Sequence, residues 1–547
     1  MPHPSLSRRS RWLRTWPVLV LAIALTPGAQ AAAGVDAAAP RVAVTGGELA
    51  GRLATADGVT LQEFQGIPYA APPLGPLRWK PPQPAAAWQG VRDATAFGPR
   101  CMQLPLFGDM VFRSRGMGED CLYLNVWAPA DRGDGKRPVL VYFYGGGFLA
   151  GDGSEPRYDG ASLAAKGLVT VTVNYRLGVF GFLATPALAA ESPRHAAGNY
   201  GLLDQAAALR WVRANIARFG GDPAHITIGG ESAGSISVSA LMASPLTRGL
   251  IAGAIGESGA LFAPIAPQPR TTAEATGRAF MQQVGATSLA DLRAMPAEVL
   301  LQASGPQATP SFDFAPDVDG LFLTEPPAAT YARGAQAQVP LLLGSNSQEG
   351  FYTAVLKDAP PTPANYRAAL KRLFGDRADE ALRLYPGATR DEVMRSATAL
   401  AGDLFIAHST WRWMELQHAH SAAPVYFYYY AHPRPAKRQP AAGEQPDTGA
   451  VHSGEIEYAL GNLDGNPVYA WTADDRAVSR TMQGYFANFI AHGDPDGAGL
   501  PRWPAMTRSH GGLLRQRIDV DTRTVVDRGA ARQAFLRAFL ATHRDPL

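Results

Sequence analysis

A pentapeptide of the G-x-S-x-G type, residues 230–234 (GESAG), is the part of the sequence whose spacing most clearly suits chemistry. It follows an apolar run that predicts a short strand, residues 226–229, and it precedes a helix-compatible run, residues 233–242. A sharp turn from strand to helix strains the serine and exposes its hydroxyl, and the flanking glycines avoid clashes. The start of the next helix favours negative charge. We therefore predict that Ser232 is a nucleophile; the alternative is a glycine-rich turn with a surface serine.

Three consecutive glycines, residues 145–147, follow the apolar run 139–144 (VLVYFY) and suit the binding of an oxyanion. Glycines let backbone N–H groups approach a substrate oxygen, and a donor segment after an early strand is expected beside a serine turn of this kind. We expect Gly146, Gly147 and Ala233 to supply the N–H donors. A flexible turn that only needs positive φ is the alternative.

The base for such a serine must be a histidine, and the sequence has 11. The expected chain order of serine, acid and histidine directs attention to the eight that follow Ser232. His452 comes just after a Pro-, Gln- and Ala-rich segment, residues 433–449, which is typical of an exposed loop, and just before a possible helix start. Spacing favours His452, because catalytic histidines are commonly carried on such loops, but leaves the other seven open.

The acid that orients the histidine is expected at the end of a later strand. Glu349 follows the predicted strand 339–344 by a short loop, which places it where ligands collect in open α/β sheets. There it would orient the imidazole and stabilise its protonated form. Asp317 and Asp319 are rivals, but they precede that strand, in a segment typical of a turn, and are interpreted as structural.

The elements that must hold these residues alternate between strand and helix patterns. Compact apolar runs rich in β-branched and aromatic residues suit strands that are buried on both faces, whereas residues 201–219 repeat apolar side chains at helical spacing. This alternation predicts a mainly parallel α/β sheet with covered faces, preceded by short antiparallel strands within residues 41–64. Further strands are predicted at residues 168–174 and 425–430.

The first 31 residues have the pattern of a secretory signal peptide. Four arginines precede an apolar run, residues 17–25, that is too short to span a bilayer as a helix, and Ala29-Gln30-Ala31 forms a cleavage pattern. We predict removal of residues 1–31 on export to the periplasm or the exterior, with no stable membrane insertion afterwards; a retained anchor is the alternative. Residues 32–547, without repeats or a clear linker, are predicted to form one domain.

The overall composition excludes several classes of protein. Hydrophobic residues make up 46% and charged residues 18% of the chain, which is typical of a globular protein rather than a disordered one. With 50 basic and 47 acidic residues, the net charge of +3 does not imply a nucleic-acid partner. In an exported protein the two cysteines, Cys101 and Cys121, are expected to form one disulfide. Neither a metal nor an organic cofactor is expected.

Together these residues resemble the type-B carboxylesterase family, which includes the cholinesterases. The resemblance covers nearly the whole mature chain, and besides GESAG it depends on stretches in the right order: 65–70 (QGIPYA), 119–126 (EDCLYLNV), 145–148 (GGGF), 174–176 (NYR), 198–205 (GNYGLLDQ) and 219–223 (FGGDP). It implies an α/β-hydrolase fold, a large sheet with helices on both faces and long excursions that form the active-site walls. It also implies that Ser232, Glu349 and His452 form a triad, and that Cys101 and Cys121 form the family's early disulfide.

The sequence departs from the family pattern in three places. Tyr144 stands where histidine commonly precedes the glycines, but the oxyanion donors are backbone groups and should survive. The loop between the cysteines, residues 102–120, lacks the tryptophan that stacks on choline in cholinesterases, which argues against a choline ester. The family's later disulfides have no counterpart, which fits an exported member of bacterial type.

The resemblance implies a serine carboxylesterase that hydrolyses a small-molecule ester through an acyl-enzyme. A non-catalytic adhesion module of the same fold is one alternative, and an amidase or thioesterase with the same triad is another. Phe148 and Phe351 adjoin catalytic segments and are predicted to line the substrate pocket. Glu231, beside the nucleophile, either tunes the field around the imidazolium or is a buried structural acid. The preferred ester and the oligomeric state stay open.

Overall fold

Runs of β-branched and aromatic residues form the strands at the centre of the protein. The computed structural model describes residues 39–131, 136–305, 313–440, 447–509 and 512–543. The predicted signal peptide, residues 1–31, lies outside the described residues, so its removal stays a prediction. From Ala39 onward the described residues form one compact unit. The predicted domain boundary at residue 32 also lies outside them.

The strands are mostly short, and the longest is the one that leads to the predicted nucleophile. In chain order, the strands of the described residues are β1 (Arg41–Val44), β2 (Gly47–Ala50), β3 (Arg52–Ala56), β4 (Val59–Pro68), β5 (Val91–Asp93), β6 (Arg100–Cys101), β7 (Met117–Gly118), β8 (Tyr123–Pro129), β9 (Arg137–Phe143), β10 (Val169–Val173), β11 (Gly221–Glu231), β12 (Gly253–Glu257), β13 (Leu341–Asn346), β14 (Val425–Tyr430), β15 (Arg508–Ser509), β16 (Gly512–Ile518) and β17 (Arg523–Asp527).

Helices follow most of the central strands. In chain order, the α-helices of the described residues are α1 (Ala161–Ala165), α2 (Gly178–Phe182), α3 (Pro186–Glu191), α4 (Tyr200–Asn215), α5 (Ala233–Ala243), α6 (Arg270–Gln283), α7 (Leu289–Ala294), α8 (Ala297–Ser304), α9 (Pro327–Ala332), α10 (Tyr352–Leu356), α11 (Pro363–Phe374), α12 (Ala378–Leu384), α13 (Arg390–Gly402), α14 (His408–His420), α15 (Ile456–Leu460), α16 (Ala473–His492) and α17 (Ala530–Leu540). A π-helical turn, Asp403–Ala407, joins α13 to α14. Within the described ranges, no helix has the length and apolar character needed to cross a bilayer.

Twelve strands of the described residues form one large sheet, in the order β15-β16-β14-β13-β12-β11-β9-β10-β8-β4-β3, with β17 beside β16. Neighbouring strands from β10 through β9, β11, β12, β13 and β14 to β16 pair in parallel, and the outer strands pair antiparallel. Every residue of β10, β12 and β13 is buried, so both faces of the central sheet are covered. The predicted α/β-hydrolase architecture is confirmed.

The carboxyl ends of the parallel strands bring the predicted site segments to one edge of the sheet. Strand β9 ends just before the glycine run, β11 ends just before Ser232, and β13 ends three residues before Glu349. Strand β14 leads into the segment that carries His452. Side chains more than 200 residues apart in sequence therefore meet at this edge.

Several predicted element boundaries are wrong in instructive ways. The predicted strand 226–229 is only part of β11, which starts earlier because Gly221 already pairs with Arg137 of β9, ahead of a register shift. The predicted helix 201–219 is α4 followed by a tighter 3₁₀ turn, Ile216–Phe219, which ends at Gly220 with φ of 89°. The predicted strand 339–344 starts later, at Leu341, because Pro340 has no N–H to donate to a ladder.

Cys101 and Cys121 form the expected disulfide, which closes a loop over residues 102–120. Both cysteines are buried in the main hydrophobic core. The loop between them also makes polar contacts with the body of the protein: Gln103 Nε2 donates to the carbonyl of Gly151 at 2.8 Å, and the Arg113 N–H donates to Ser154 Oγ at 3.0 Å. The disulfide thus holds a segment that also packs over the active-site edge.

The double variant Cys101→Ser/Cys121→Ser should have a free energy of unfolding that is lower by roughly 3 kcal/mol. Without the disulfide, the unfolded chain regains the conformational freedom that closing this short loop had removed. Urea unfolding without reductant measures the midpoint. As a control, reductant should move the parent's midpoint to that of the variant. Equal midpoints for parent and variant without reductant would contradict this account.

Candidate active site

Ser232 occupies a strained turn between a strand and a helix. Strand β11 ends at Glu231 and helix α5 begins at Ala233. Ser232 itself has φ of 53° and ψ of −119°, a backbone conformation that L-residues rarely adopt. Such a conformation costs about 1–3 kcal/mol and persists only where the surrounding structure enforces it. The backbone of this turn thus has the form that the G-x-S-x-G pattern predicts.

The two glycines of the motif permit this turn by letting backbone segments touch. A Cβ atom at Gly234 would overlap the carbonyl oxygen of Phe143, at the end of β9. A Cβ at Gly230 would lie 2.6 Å from the same oxygen and 2.6 Å from the carbonyl carbon of Gly234. Because backbone atoms fill both places, a larger residue cannot be accommodated by a side-chain rearrangement.

His452 lies between Ser232 and Glu349 in one continuous hydrogen-bonded row. Its Nε2 atom is 3.0 Å from Ser232 Oγ, and its Nδ1 atom is 2.7 Å from Glu349 Oε2. The other carboxylate oxygen, Glu349 Oε1, accepts hydrogen bonds of 2.6 Å from the Ser258 hydroxyl and from the N–H of Asn346. The structure therefore brings together the three residues that the sequence analysis singled out, with the acid fixed by two further donors.

The turn that carries His452 is held against the loop after β13. The N–H of Gln348 donates to the carbonyl of Ala450 at 2.8 Å, and Asn346 Nδ2 donates to the carbonyl of Val451 at 2.8 Å. Asn346 thus contacts the acid through its backbone and the histidine turn through its side chain. One residue, Asn346, therefore holds both Glu349 and the turn that carries His452.

The glycine run after β9 lies directly beside the nucleophile. A Cβ at Gly145 would be 2.5 Å from Glu231 Oε2 and 3.1 Å from Ser232 Cβ. Gly146 and Gly147 have φ of 104° and 64°, so the segment needs glycine as well as space. Ala233, the third expected donor, is the first residue of α5 and is fully buried.

Tyr144, which stands in place of the common histidine, anchors the backbone that leads into the glycine run. Its ring stacks on that of Tyr175 with the centroids 4.5 Å apart. The Tyr175 hydroxyl donates to the carbonyl of Tyr144 at 2.7 Å, and the Tyr144 hydroxyl donates to the carbonyl of Tyr175 at 3.2 Å. This reciprocal pair holds the backbone immediately before the glycines.

Comparison with known proteins assigns the chain to a family. The model of the carboxylesterase family matches residues 38–532. The chain belongs to the carboxylesterase family. It is 37% identical to fumonisin B1 esterase of Sphingopyxis macrogoltabida, with 82% of each chain covered. It is 36% identical to human cocaine esterase, over 86% of this chain and 87% of the relative, and 37% identical to the para-nitrobenzyl esterase of Bacillus subtilis, over 81% and 89%.

This membership confirms the resemblance inferred from the sequence. It also makes the protein a hydrolase of carboxylic ester bonds, since this is the chemistry of the family. The match extends over the segments that carry the glycine run, the serine turn, the acid and the histidine.

Several carboxylates besides that of Glu349 are buried around Ser232 and His452. Glu231 Oε1 lies 3.3 Å from His452 Nε2, and burial raises the pKa of Glu231 to about 8. Burial lowers the pKa of His452, but Glu231, Glu349 and Glu455 outweigh it and raise that pKa to about 9. Because the two groups are in contact, the charge of Glu231 favours the protonated imidazole, while burial favours the protonated carboxyl group.

Two more buried acids stand behind this pair. Glu455 Oε2 accepts a hydrogen bond from Asn346 Nδ2 at 2.5 Å, and burial together with the nearby Glu349 raises the pKa of Glu455 to about 7. Glu257 is the parallel-strand partner of Glu231 and accepts from the Tyr142 hydroxyl at 2.8 Å. Burial raises the pKa of Glu257 well above its ordinary value. Three residues that the sequence analysis did not single out, Ser258, Glu257 and Glu455, therefore lie around Ser232, Glu349 and His452.

The structure places the residues predicted to line the pocket in different environments. Phe148 is buried and packs edge-to-face on Phe182, with the ring centroids 5.0 Å apart. Phe351, just before α10, is 53% exposed. Phe405, which the sequence analysis missed, is 38% exposed and its ring centroid is 5.1 Å from that of His452. Phe405 lies in the π-helical turn, and no sequence signal marks that turn.

The rival acids Asp317 and Asp319 have local structural contacts. The Asp319 carboxylate accepts N–H bonds of 2.9 Å from both Phe322 and Leu323, which closes a turn. The carbonyl of Asp317 accepts a bond of 2.8 Å from the Asn199 side chain.

Glu231→Gln should move the acid limb of the kcat/KM profile to lower pH. The imidazole must be unprotonated to act as a base, and Glu231 raises its pKa, so loss of this charge lowers the pKa. The profile is measured with an uncharged ester. Glu298→Gln, which removes an exposed charge from α8, is the matched control and should leave the limb in place. An unchanged limb, or a shift to higher pH, in Glu231→Gln would contradict the assignment.

Proposed function

We propose that this member of the carboxylesterase family hydrolyses small-molecule esters through an acyl-enzyme formed on Ser232. The observation that carries the proposal is the hydrogen-bonded row from Ser232 through His452 to Glu349 at a strained serine turn. Each contact lies within the range required for proton transfer or orientation.

In the acylation step, His452 Nε2 takes the proton of Ser232 Oγ as the oxygen attacks the ester carbonyl. Glu349 holds the imidazole through Nδ1 and stabilises the imidazolium that forms. The imidazolium then gives its proton to the departing alcohol, which leaves the acyl group on Ser232. In deacylation, His452 takes a proton from water as the water attacks the acyl carbonyl. The bond between the acyl carbon and Ser232 Oγ then breaks, the imidazolium returns its proton to Oγ, and the acid leaves.

The oxyanion of each tetrahedral intermediate is assigned to the N–H groups of Gly146, Gly147 and Ala233. Gly145 abuts Ser232, and Ala233 opens α5, whose amino terminus favours negative charge. Removal of a single such donor costs about 2.7–4 kcal/mol in a well-studied serine hydrolase. Several donors together therefore make the glycine run a main source of rate.

Met110, in the loop closed by the disulfide, lies beside the oxyanion glycines. The Met110 Cε atom lies 2.8 Å from where a Cβ at Gly146 would be, so the methionine packs directly on this glycine. A methionine offers a polarisable apolar surface, not the aromatic face that binds quaternary ammonium groups. This favours neutral esters over choline esters, in agreement with the absence of tryptophan from residues 102–120.

Export is part of the proposal. The structure contains the disulfide, and disulfides persist mainly in oxidising compartments. This agrees with the signal-peptide pattern of residues 1–31 and favours a periplasmic or secreted enzyme.

Ser232→Ala should lower kcat for short p-nitrophenyl esters by about four orders of magnitude or more, because no acyl-enzyme can form. Circular dichroism checks that the variant is folded. A p-nitroanilide and a thioester of the same acyl group, assayed in parallel, test the amidase and thioesterase alternatives. Equal ester turnover by variant and parent would contradict the proposal, and a folded parent that turns over none of these substrates would favour a binding module.

A further inference from the structure

The turn that carries His452 has a second anchor, on the side away from the acid. Ser453, the next residue, has φ of 62° although it is not glycine. Its carbonyl oxygen accepts a hydrogen bond of 2.9 Å from Arg434 Nη2. A non-glycine residue keeps such a conformation only where its neighbours enforce it. The turn has a backbone hydrogen bond of its own, from the N–H of Gly454 to the carbonyl of Val451 at 2.9 Å, and Arg434 adds a side-chain bond to the residue that follows His452.

Arg434 is itself held in place by a buried ion pair. The same Nη2 atom donates to Glu457 Oε2 at 2.7 Å, and both side chains are almost fully buried. Burial alone would discharge each group, but their mutual attraction raises the pKa of Arg434 and lowers that of Glu457. One nitrogen thus joins the carboxylate of a residue in α15 to the carbonyl of the histidine turn.

Further contacts fix both members of this pair. Glu457 Oε1 accepts from Asn466 Nδ2 at 2.8 Å, and the guanidinium of Arg434 lies 5.2 Å from the centre of the Tyr469 ring. The positive charge of a second buried cation, Arg157, also lowers the pKa of Glu457. Arg157 itself pairs with Glu155, with Nε 2.9 Å from Oε2. With so many partners, the guanidinium has little freedom to move.

We propose that Arg434 is a positioning residue for the catalytic base, which it acts on through the carbonyl of Ser453. It fixes the strained turn in which His452 Nε2 faces Ser232 Oγ, and it touches none of the reacting atoms. This inference rests on the proposed function of His452. Loss of the anchor lets the turn relax, and a displacement of about 1 Å at a catalytic group can lower the rate about 100-fold.

A simple structural role for Arg434, as the counter-charge of Glu457, makes a different prediction. Removing only the arginine leaves a buried carboxylate unpaired, which is strongly destabilising and can prevent folding. The double variant Arg434→Met/Glu457→Gln removes both charges and leaves no unpaired ion. It loses the bond to Ser453, whereas Glu457→Gln alone retains it.

The experiment compares kcat, KM and the pH profile of kcat/KM for the parent and four variants, with active sites counted by titration. The double variant should lose about 10- to 100-fold in kcat with KM nearly unchanged, and its acid limb should move to lower pH because the imidazole loses alignment with Glu349. Glu457→Gln alone leaves the buried guanidinium without its counter-charge but keeps the bond to Ser453, so it should lose less kcat per titrated active site than the double variant. The kcat of Arg434→Lys should lie between those of the parent and the double variant, since a lysine keeps the positive charge but lacks the planar, forked donors of a guanidinium.

Arg438→Met is the matched control. Arg438 lies in the same segment, is exposed and also donates to a backbone carbonyl, that of Tyr469, at 3.2 Å. It should behave like the parent.

Two results would overturn the inference: parental kcat and pH profile in the folded double variant, or a loss of activity that disappears when rates are expressed per titrated active site. If Ser232→Ala were as active as the parent, the proposed function would fail instead. If Ser232→Ala were inactive but the double variant kept parental activity, only the inferred role of Arg434 would be contradicted, and the proposed function would stand.

Discussion

The contact on which the active site depends is the close approach of three backbone segments around Ser232. Gly230 and Gly234 both touch the carbonyl oxygen of Phe143, so β9, β11 and α5 meet with no side chain between them. This approach holds Ser232 in its rare backbone conformation and places the glycine run from β9 beside the hydroxyl. Ser232 and the glycine run, the proposed nucleophile and oxyanion donors, are thus positioned by one packing constraint.

The acid and the base depend on a second, polar set of contacts. Asn346 bonds the Glu349 carboxylate, the carbonyl of Val451 and Glu455, so one residue at the end of β13 connects both members of the pair. Buried carboxylates surround the imidazole and raise its pKa. In the proposed mechanism, the rate depends on the fixed backbone at Ser232 and on the carboxylates around His452.

How much of this could be predicted from the sequence differs between residues. Ser232 and the glycines were predictable because their chemistry is local, in one turn after one strand. His452 was one of eight candidates by spacing, and the family resemblance singled it out. Ser258 and Glu257 escaped notice because only the register of β12 beside β11 brings them to the site. Arg434 and Phe405 reach the histidine turn through tertiary contacts that leave no mark on local sequence.

The measurement that tests the central claim most directly is the location of a trapped acyl group. A p-nitrophenyl carbamate would transfer a carbamoyl group that hydrolyses slowly, and peptide mass spectrometry would show which residue carries it. The account predicts one carbamoyl group per active chain, on Ser232, in step with the loss of esterase activity, and none on Ser232→Ala. Loss of activity with the group on another residue would contradict it.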